Sequence, residues 1–231
     1  MPAHRPTDQQ ENANVIHRQA LSVQFTLPKV YPITDKKLAH RATHLSILKE
    51  LVRGGAQLVQ IRDKSTPVRE LMPDLCRCME FASSKRVVLI VNDRCDLALG
   101  CAASGVHLGQ DDLPVDKVRA ILGRRKILGL STHSLSQVRQ SLQLPIQYLG
   151  FGPVYATATK ANSFPVAGLR SLARACREST MPVVAIGGIG LEQIQEVLHA
   201  GAASAAVISA LMEAKDLAGE MQKLLEKAMG I

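Results

Sequence analysis

The chain has no tryptophan, only three tyrosines and four phenylalanines, and no cysteines at CxxC spacing. Each shortage removes a class of function. Gripping single-stranded nucleic acid takes aromatic platforms, and the consecutive basic triplet at 124–126 (RRK) is too short to form a basic stripe. The formal charge of +8 therefore reads first as a solvated basic surface and second as a preference for a polyanionic small substrate. Five cysteines (Cys76, Cys78, Cys95, Cys101 and Cys176) are an odd number without metal-ligand spacing, which speaks against a disulfide framework or a zinc knuckle and for a reducing compartment. The longest apolar runs, such as VVLIV at 87–91, fall far short of the roughly 20 residues a membrane helix needs. No N-terminal stretch has the layout of a signal peptide. The expectation is a soluble cytoplasmic protein that binds neither nucleic acid nor membrane.

What the sequence does have is repetition. Residues 1–25 are polar and weakly patterned, an extension with at most a short helix at 14–22. From residue 26 to 231, β-like runs alternate with helix-like ones. The former are KVYPIT (29–34), QLVQIR (57–62), VVLIVN (87–92), GVHLG (105–109), KILGLS (126–131), IQYLGFG (146–152), PVVAIGG (182–188) and SAAVIS (204–209). Between them, 40–55, 67–84, 135–143 and 191–202 have helical periodicity, with glycines where C-caps belong and Pro67 suited to a first turn. Apolar strands alternating with helices argue for a parallel sheet. Eight such units predict one domain, a closed (β/α)8 TIM barrel. An open doubly wound sheet is the alternative, but no GxGxxG follows the first strand.

In such a barrel the active site forms at the C-terminal ends of the strands, and there the ionisable residues collect. The stretch LVQIRDK (58–64) puts Gln60, Arg62 and Lys64 on one side and Val59 and Ile61 on the other. Later strands end in Asn92 and Asp93, in Asp111 and Asp112, and in Ser131, Thr132 and His133; Thr157, Thr159 and Lys160 follow the sixth. GGIG (187–190), running into a helix expected from Leu191, offers bare backbone N–H groups for a phosphate, although it also reads as a tight strand-to-helix turn. Asp93 and Asp112 could share a magnesium ion, with Asp111 a competitor. Alternatively, Asp93 caps a helix beginning at Arg94 and the aspartate pair opens a turn before Pro114. His40 and His44 stand one helical turn apart, without a third ligand, on what is expected to be an exposed helix face. His107 is expected to be a hydrogen-bonded core residue, and His133 lacks the partners of a catalytic triad.

Five segments together resemble the thiamine-phosphate synthase family: VNDRCDLALGCAASGVHLGQDDLP (91–114), QIRDK (60–64), LSTHS (130–134), LGFGPVYATATK (149–160) and VAIGGI (184–189). The resemblance spans about 31–210. It implies a transferase that joins 4-amino-2-methyl-5-pyrimidinylmethyl diphosphate to a thiazole phosphate, releasing diphosphate with the help of Mg2+. Residues carried over by the resemblance are Gln60, Ile61, Arg62, Asp63, Lys64 and Asn92 for the pyrimidine diphosphate, with Ser131 and Lys160 also on it. Asp93 and Asp112 would take the metal, and Thr157, Ala158, Thr159, Gly188, Ile208 and Ser209 the thiazole phosphate. Arg62, Lys64 and Lys160 are the implied catalytic cations. A homo-oligomer stays open. Ala156 and ANSFPVA (161–167) depart from the family pattern, and 153–166 is expected to act as a lid. A thiazole tautomerase of the same fold, with His133 as acid or base, or a non-catalytic binding protein are the alternatives.

Overall fold

Inward and outward side chains alternate along the strands of the computed structural model, which describes residues 26–157 and 164–230. The extension and its expected helix lie outside the described residues. The strands are β1 (Val30–Thr34), β2 (Leu58–Ile61), β3 (Val88–Asn92), β4 (Gly105–Leu108), β5 (Ile127–Thr132), β6 (Tyr148–Phe151), β7 (Val183–Ala185) and β8 (Ser204–Val207). They pair in parallel in chain order, and β8 returns to β1 with Tyr31 opposite Ala206, closing the barrel. Around it lie α1 (His44–Arg53), α2 (Val68–Lys85), α3 (Cys95–Gly100), α4 (Val115–Leu122), α5 (Leu135–Ser141), α6 (Gly168–Glu178), α7 (Ile194–His199), α8 (Ser209–Met212) and α9 (Leu217–Met229). The expected (β/α)8 barrel is the fold.

Parity along each strand creates two cores. Outward residues such as Val59, Ile61, Leu89, Val91, Leu128 and Leu149 pack with Ile47, Leu75 and Val138 of the helices. Inward residues Tyr31, Ile33, Leu58, Ile90, Ile127, Tyr148, Val184 and Ala206 fill the barrel. Each fully buried aliphatic contributes about 1.5–3 kcal/mol, so the apolar filling fixes the register in which the polar residues reach the rim. One glycine sets the interior layout. A Cβ on Gly129 of β5 would fall 2.1 Å from Cζ of Tyr148 on the neighbouring β6, so only glycine lets that ring lie across the barrel.

Two helices start later than their periodicity suggests. The pattern from residue 40 becomes helical only at His44, because the Thr43 side chain accepts the Ser46 N–H as an N-cap. Asp74 of α2 takes the His44 N–H at 2.6 Å. His40 lies ahead of the helix with φ 48°. Leu191 begins a turn rather than a helix: the Gln193 side chain accepts the Gly190 N–H, the Gln193 N–H returns to the Gly190 carbonyl, and α7 starts at Ile194.

His44 corrects the expected exposed histidine face, for it is 0% exposed. Its Nε2 lies 3.0 Å from Asp63 and its Nδ1 2.9 Å from the Thr34 hydroxyl. A carboxylate can only accept, so Nε2 carries the proton and Nδ1 accepts from Thr34. Asp63 also accepts from the backbone N–H of Ser65 and Thr66, from the Thr66 hydroxyl and from Lys36. Burial pushes the Asp63 carboxyl up, but these hydrogen bonds outweigh it and hold it well below the usual range. Burial lowers the His44 pKa despite the opposing pull of Asp63. The neutral imidazole thus pins the chain just beyond β2.

Two predictions follow from this packing. Gly129→Ala should destabilise the fold by about 1–3 kcal/mol, the usual cost of overpacking; an unchanged Tm in thermal unfolding would show that Tyr148 has room to shift. For His44, the unfolded chain takes up the extra proton first, so its stabilising contribution is complete above the ordinary histidine value of about 6.5 and is lost as pH falls from there toward the lowered folded value. Wild-type Tm should decline across that window before the carboxylates titrate, and His44→Gln should flatten the decline. Equal slopes for the two proteins would contradict this.

Candidate active site

The open C-terminal end of the barrel is a cavity lined by Gln60, Arg62, Asn92, Ser131, Thr157, Gly188, Ile208 and Ser209. Residues from β2, β3, β5, the β6 loop, the β7 loop and the end of β8 thus meet at one place, as their positions at strand ends require.

The β2 end supplies the principal cation. Arg62 is 11% exposed in its side chain and donates from Nη1 to Asp35 Oδ2 at 2.9 Å. Asp35, the first residue after β1, is itself fixed by the backbone N–H groups of Lys37 and Leu38. The Nε of Arg62 is buried and has no hydrogen-bond partner among the described residues. Burying an unsatisfied donor costs about 1–3 kcal/mol. Of the neighbouring residues, Ile61 faces the helices and the Asp63 carboxylate is turned to His44, so neither side chain reaches the cavity.

Beside the cavity, Asp93 and Asp112 stand together. Asp93 has φ 61° and its carboxylate is bonded to Lys64; Arg94, not Asp93, occupies the N-cap of α3. Asp112 accepts the Gly109 N–H at 2.6 Å, so it does close a turn, and it also faces Asp93. Burial first, and then the hydrogen bond shared with Asp93, raise its pKa. Two crowded carboxylates, with an ammonium against one of them, fit a divalent cation that keeps its remaining positions for water or phosphate oxygens. Among the described residues no group of three or more His, Cys, Asp or Glu gathers as a metal site, here or elsewhere. Asp111 is exposed.

On the opposite wall, Gly187 and Gly188 have φ of 89° and 68°. A Cβ on the first would meet Pro153 at 2.5 Å and on the second the Ala156 carbonyl oxygen at 2.4 Å. The glycine pair is therefore demanded both by backbone conformation and by the β6 loop lying against it, which leaves bare backbone facing the hollow shared by Thr157, Gly188, Ile189 and Ser209. Ala158, Thr159, Lys160 and the middle of the expected lid lie outside the described residues. At the rim His133 stacks on Phe164, ring centroids 3.6 Å apart; its Nδ1 lies 2.6 Å from the Gly152 carbonyl and so carries a proton for it.

The cavity floor was not apparent from the motifs. Gln60 Nε2 lies 2.9 Å from the Tyr31 hydroxyl, Tyr31 2.9 Å from the Tyr148 hydroxyl, Tyr148 3.0 Å from His107 Nδ1, and His107 Nε2 2.8 Å from Ser131 Oγ. His107 is the hydrogen-bonded core residue expected. The sequence signal for the rest was available: Tyr31 and Tyr148 are two of three tyrosines, both within strands and on the inward parity.

A family model described as thiamine monophosphate synthase matches residues 30–211. Thiamine-phosphate synthase of Syntrophomonas wolfei is 41% identical over 196 residues, covering 84% of this chain and 93% of that protein. The enzyme of the same name from Albidiferax ferrireducens is 39% identical, covering 85% and 90%. Among solved structures, thiamine phosphate pyrophosphorylase from Pyrococcus furiosus superposes with a TM-score of 0.80 at 31% identity, covering 93% of this chain and 98% of the other. These matches lend no support to the tautomerase or binding-protein alternatives. With the family model spanning most of the barrel and the strand-end residues gathered around one cavity, the chain belongs to the thiamine-phosphate synthase family of transferases.

Proposed function

We propose that this member of the family condenses 4-amino-2-methyl-5-pyrimidinylmethyl diphosphate with 4-methyl-5-(2-phosphoethyl)thiazole to give thiamine phosphate and diphosphate. The observation that carries the proposal is the buried, unpartnered Nε of Arg62 in a cavity flanked by Lys64 and a carboxylate pair. Such a donor suits the oxygens of a diphosphate. Gln60 and Asn92 hold the same substrate, Ser131 donates to its diphosphate, and Lys160 joins from the β6 loop. Ile61 and Asp63 act through the strand end they fix. Thr157, Ala158 and Thr159, with Gly188, Ile208 and Ser209, hold the thiazole phosphate. Asp93 and Asp112 hold Mg2+, which when bound neutralises charge on the diphosphate.

The bond that breaks joins the pyrimidine methylene to a diphosphate oxygen. Positive charge develops on the methylene and spreads into the ring by donation from the amino group, while negative charge grows on the leaving oxygens. Arg62 and Lys64, held by Asp35 and Asp93, suit that second charge and need little reorganisation as it appears, and the family resemblance adds Lys160. The thiazole nitrogen then supplies the electron pair that forms the new C–N bond, so no protein nucleophile or general base is required. Apolar walls at Ile186, Ile208 and Val184 keep water from the methylene. Free cysteines and the absence, among the described residues, of a helix able to cross a membrane support a cytoplasmic enzyme acting on small molecules.

Mixing both substrates with Mg2+ should release diphosphate, and omitting either substrate should stop the release; tautomerisation of the thiazole without diphosphate release would overturn the proposal. Arg62→Ala and Lys160→Ala should each lower kcat by about 10² to 10³ with the fold retained, as for loss of other preorganised donors. Near-wild-type kinetics in both would remove the diphosphate from this cavity.

A further inference from the structure

The chain of hydrogen bonds across the cavity floor joins two residues that, on the reaction proposed above, touch different parts of one substrate. Its bonds share hydroxyl and imidazole protons, so the orientation of one biases the next. In the observed orientation the Gln60 carboxamide donates from Nε2 to the Tyr31 hydroxyl. The Tyr31–Tyr148 contact of 2.9 Å admits either hydroxyl as donor; with Gln60 donating to Tyr31, the arrangement that leaves neither phenol proton without an acceptor has Tyr31 donate to Tyr148. The Tyr148 proton in turn points to Nδ1 of His107. An imidazole accepting at Nδ1 carries its own proton on Nε2, from which it donates to Ser131 Oγ. Ser131 is then an acceptor toward His107, and its hydroxyl proton is directed into the cavity that it lines.

Turning the carboxamide by half a revolution places Oε1 on Tyr31. Every bond reverses: Tyr31 donates to Gln60, Tyr148 to Tyr31, His107 Nδ1 to Tyr148, and Ser131 to His107 Nε2. Ser131 then has no proton for the cavity. Tyr31, Gln60, His107, Tyr148 and Ser131 are all buried, and burial raises both phenol pKa values so that the hydroxyls keep their protons. Neighbouring bonds in such a chain also polarise one another.

We propose that Tyr31, Tyr148 and His107 form a directed hydrogen-bond wire that ties the orientation of the Gln60 carboxamide to the donor state of Ser131. Recognition of the pyrimidine edge and readiness of a diphosphate donor thereby become one event. An aminopyrimidine offers an N–H donor beside a ring-nitrogen acceptor. The observed carboxamide, with Oε1 and its second N–H available, matches that edge. The corresponding oxo pyrimidine presents a carbonyl beside a ring N–H, which matches the turned carboxamide and so disarms Ser131. Specificity for the amino compound is then expressed in the chemical step as well as in binding. Tyr148 does not line the cavity and acts as a positioning residue.

A double-mutant cycle tests the wire. Kinetics of diphosphate release are measured for Gln60→Ala, Ser131→Ala and the double variant, in the otherwise native protein and in Tyr148→Phe, which keeps the ring that Gly129 accommodates. The effects should be non-additive in the first background and additive in the second. Tyr148→Phe alone should lower kcat by about tenfold to a hundredfold, the range for a buried hydrogen bond left unmade, and should narrow the kcat ratio between the amino substrate and its oxo analogue. Tyr31→Phe breaks the wire at its other joint and should reproduce both results, which guards against a folding defect in one variant. Additive effects in the native background, or coupling that survives in both phenylalanine variants, would overturn the wire while leaving the reaction itself standing. Absence of diphosphate release from the native protein with the amino substrate would instead overturn the reaction and the wire together.

Discussion

Closure of the sheet is the constraint on which everything else rests. A strand in a closed barrel has two directions for its side chains, toward the helices or toward the axis, and an eight-stranded barrel is just wide enough inside for those side chains to fill. Nothing inward can be left loose. In the lower layers Leu58, Ile90, Ile127 and Val184 fill the axis. Nearer the mouth the same parity brings in Gln60, His107 and Ser131, whose polar atoms must find partners or forfeit about 1–3 kcal/mol each. The two tyrosines supply those partners, and Gly129 supplies the space for one of them. A requirement of packing thus becomes a continuous polar path across the floor of the cavity.

The same economy governs the mouth, where Arg62 and Asp63 are each steadied by a residue with no chemical task. Asp35 holds Arg62 while itself being held by two backbone N–H groups. His44, itself fixed by Thr34, holds Asp63, and Asp63 folds residues 65 and 66 back over the strand end. Truncating one member of such a buried ion pair is costly because it strands the other charge. Changes at Asp35 or His44 therefore reach the site through geometry. The unpartnered Nε of Arg62 is the exception within this otherwise satisfied group, on a residue that lines the cavity.

Sequence patterns carried the architecture well and the supports poorly, for physical reasons. Strand and helix order follow from hydrophobic period, which burial enforces at every unit. The cations and carboxylates at strand ends were visible because LVQIRDK and the Asp93 and Asp112 segments break that period where a core tolerates no break. His44 went the other way: a helical spacing of four suggested a surface pair, but whether a helix face is exposed depends on what packs over it. Asp74 and Asp63 come from elsewhere in the chain to meet it. Asp35 was missed for a similar reason, since a single aspartate after a strand has many local uses and only the fold brings Arg62 to it. Tyr31 and Tyr148, 117 residues apart, join only when the barrel closes.

The two halves of the cavity differ in a way that matches the demands of the proposed reaction. Side-chain charge is concentrated at the ends of β2, β3 and β4, in Arg62, Lys64, Asp93 and Asp112, whereas the β7 and β8 ends offer glycine backbone and the Ser209 hydroxyl. A phosphate that merely anchors a nucleophile carries the same charge before and during bond formation. Strong stabilisation there would favour ground and transition states alike and leave kcat unchanged, so backbone dipoles suffice. A departing diphosphate gains charge as its bond breaks. Fixed cations aimed at it are more effective in the transition state than before it, and that difference is what accelerates a reaction. The expensive features of this fold, a nearly buried arginine and crowded carboxylates, stand on the side where charge changes.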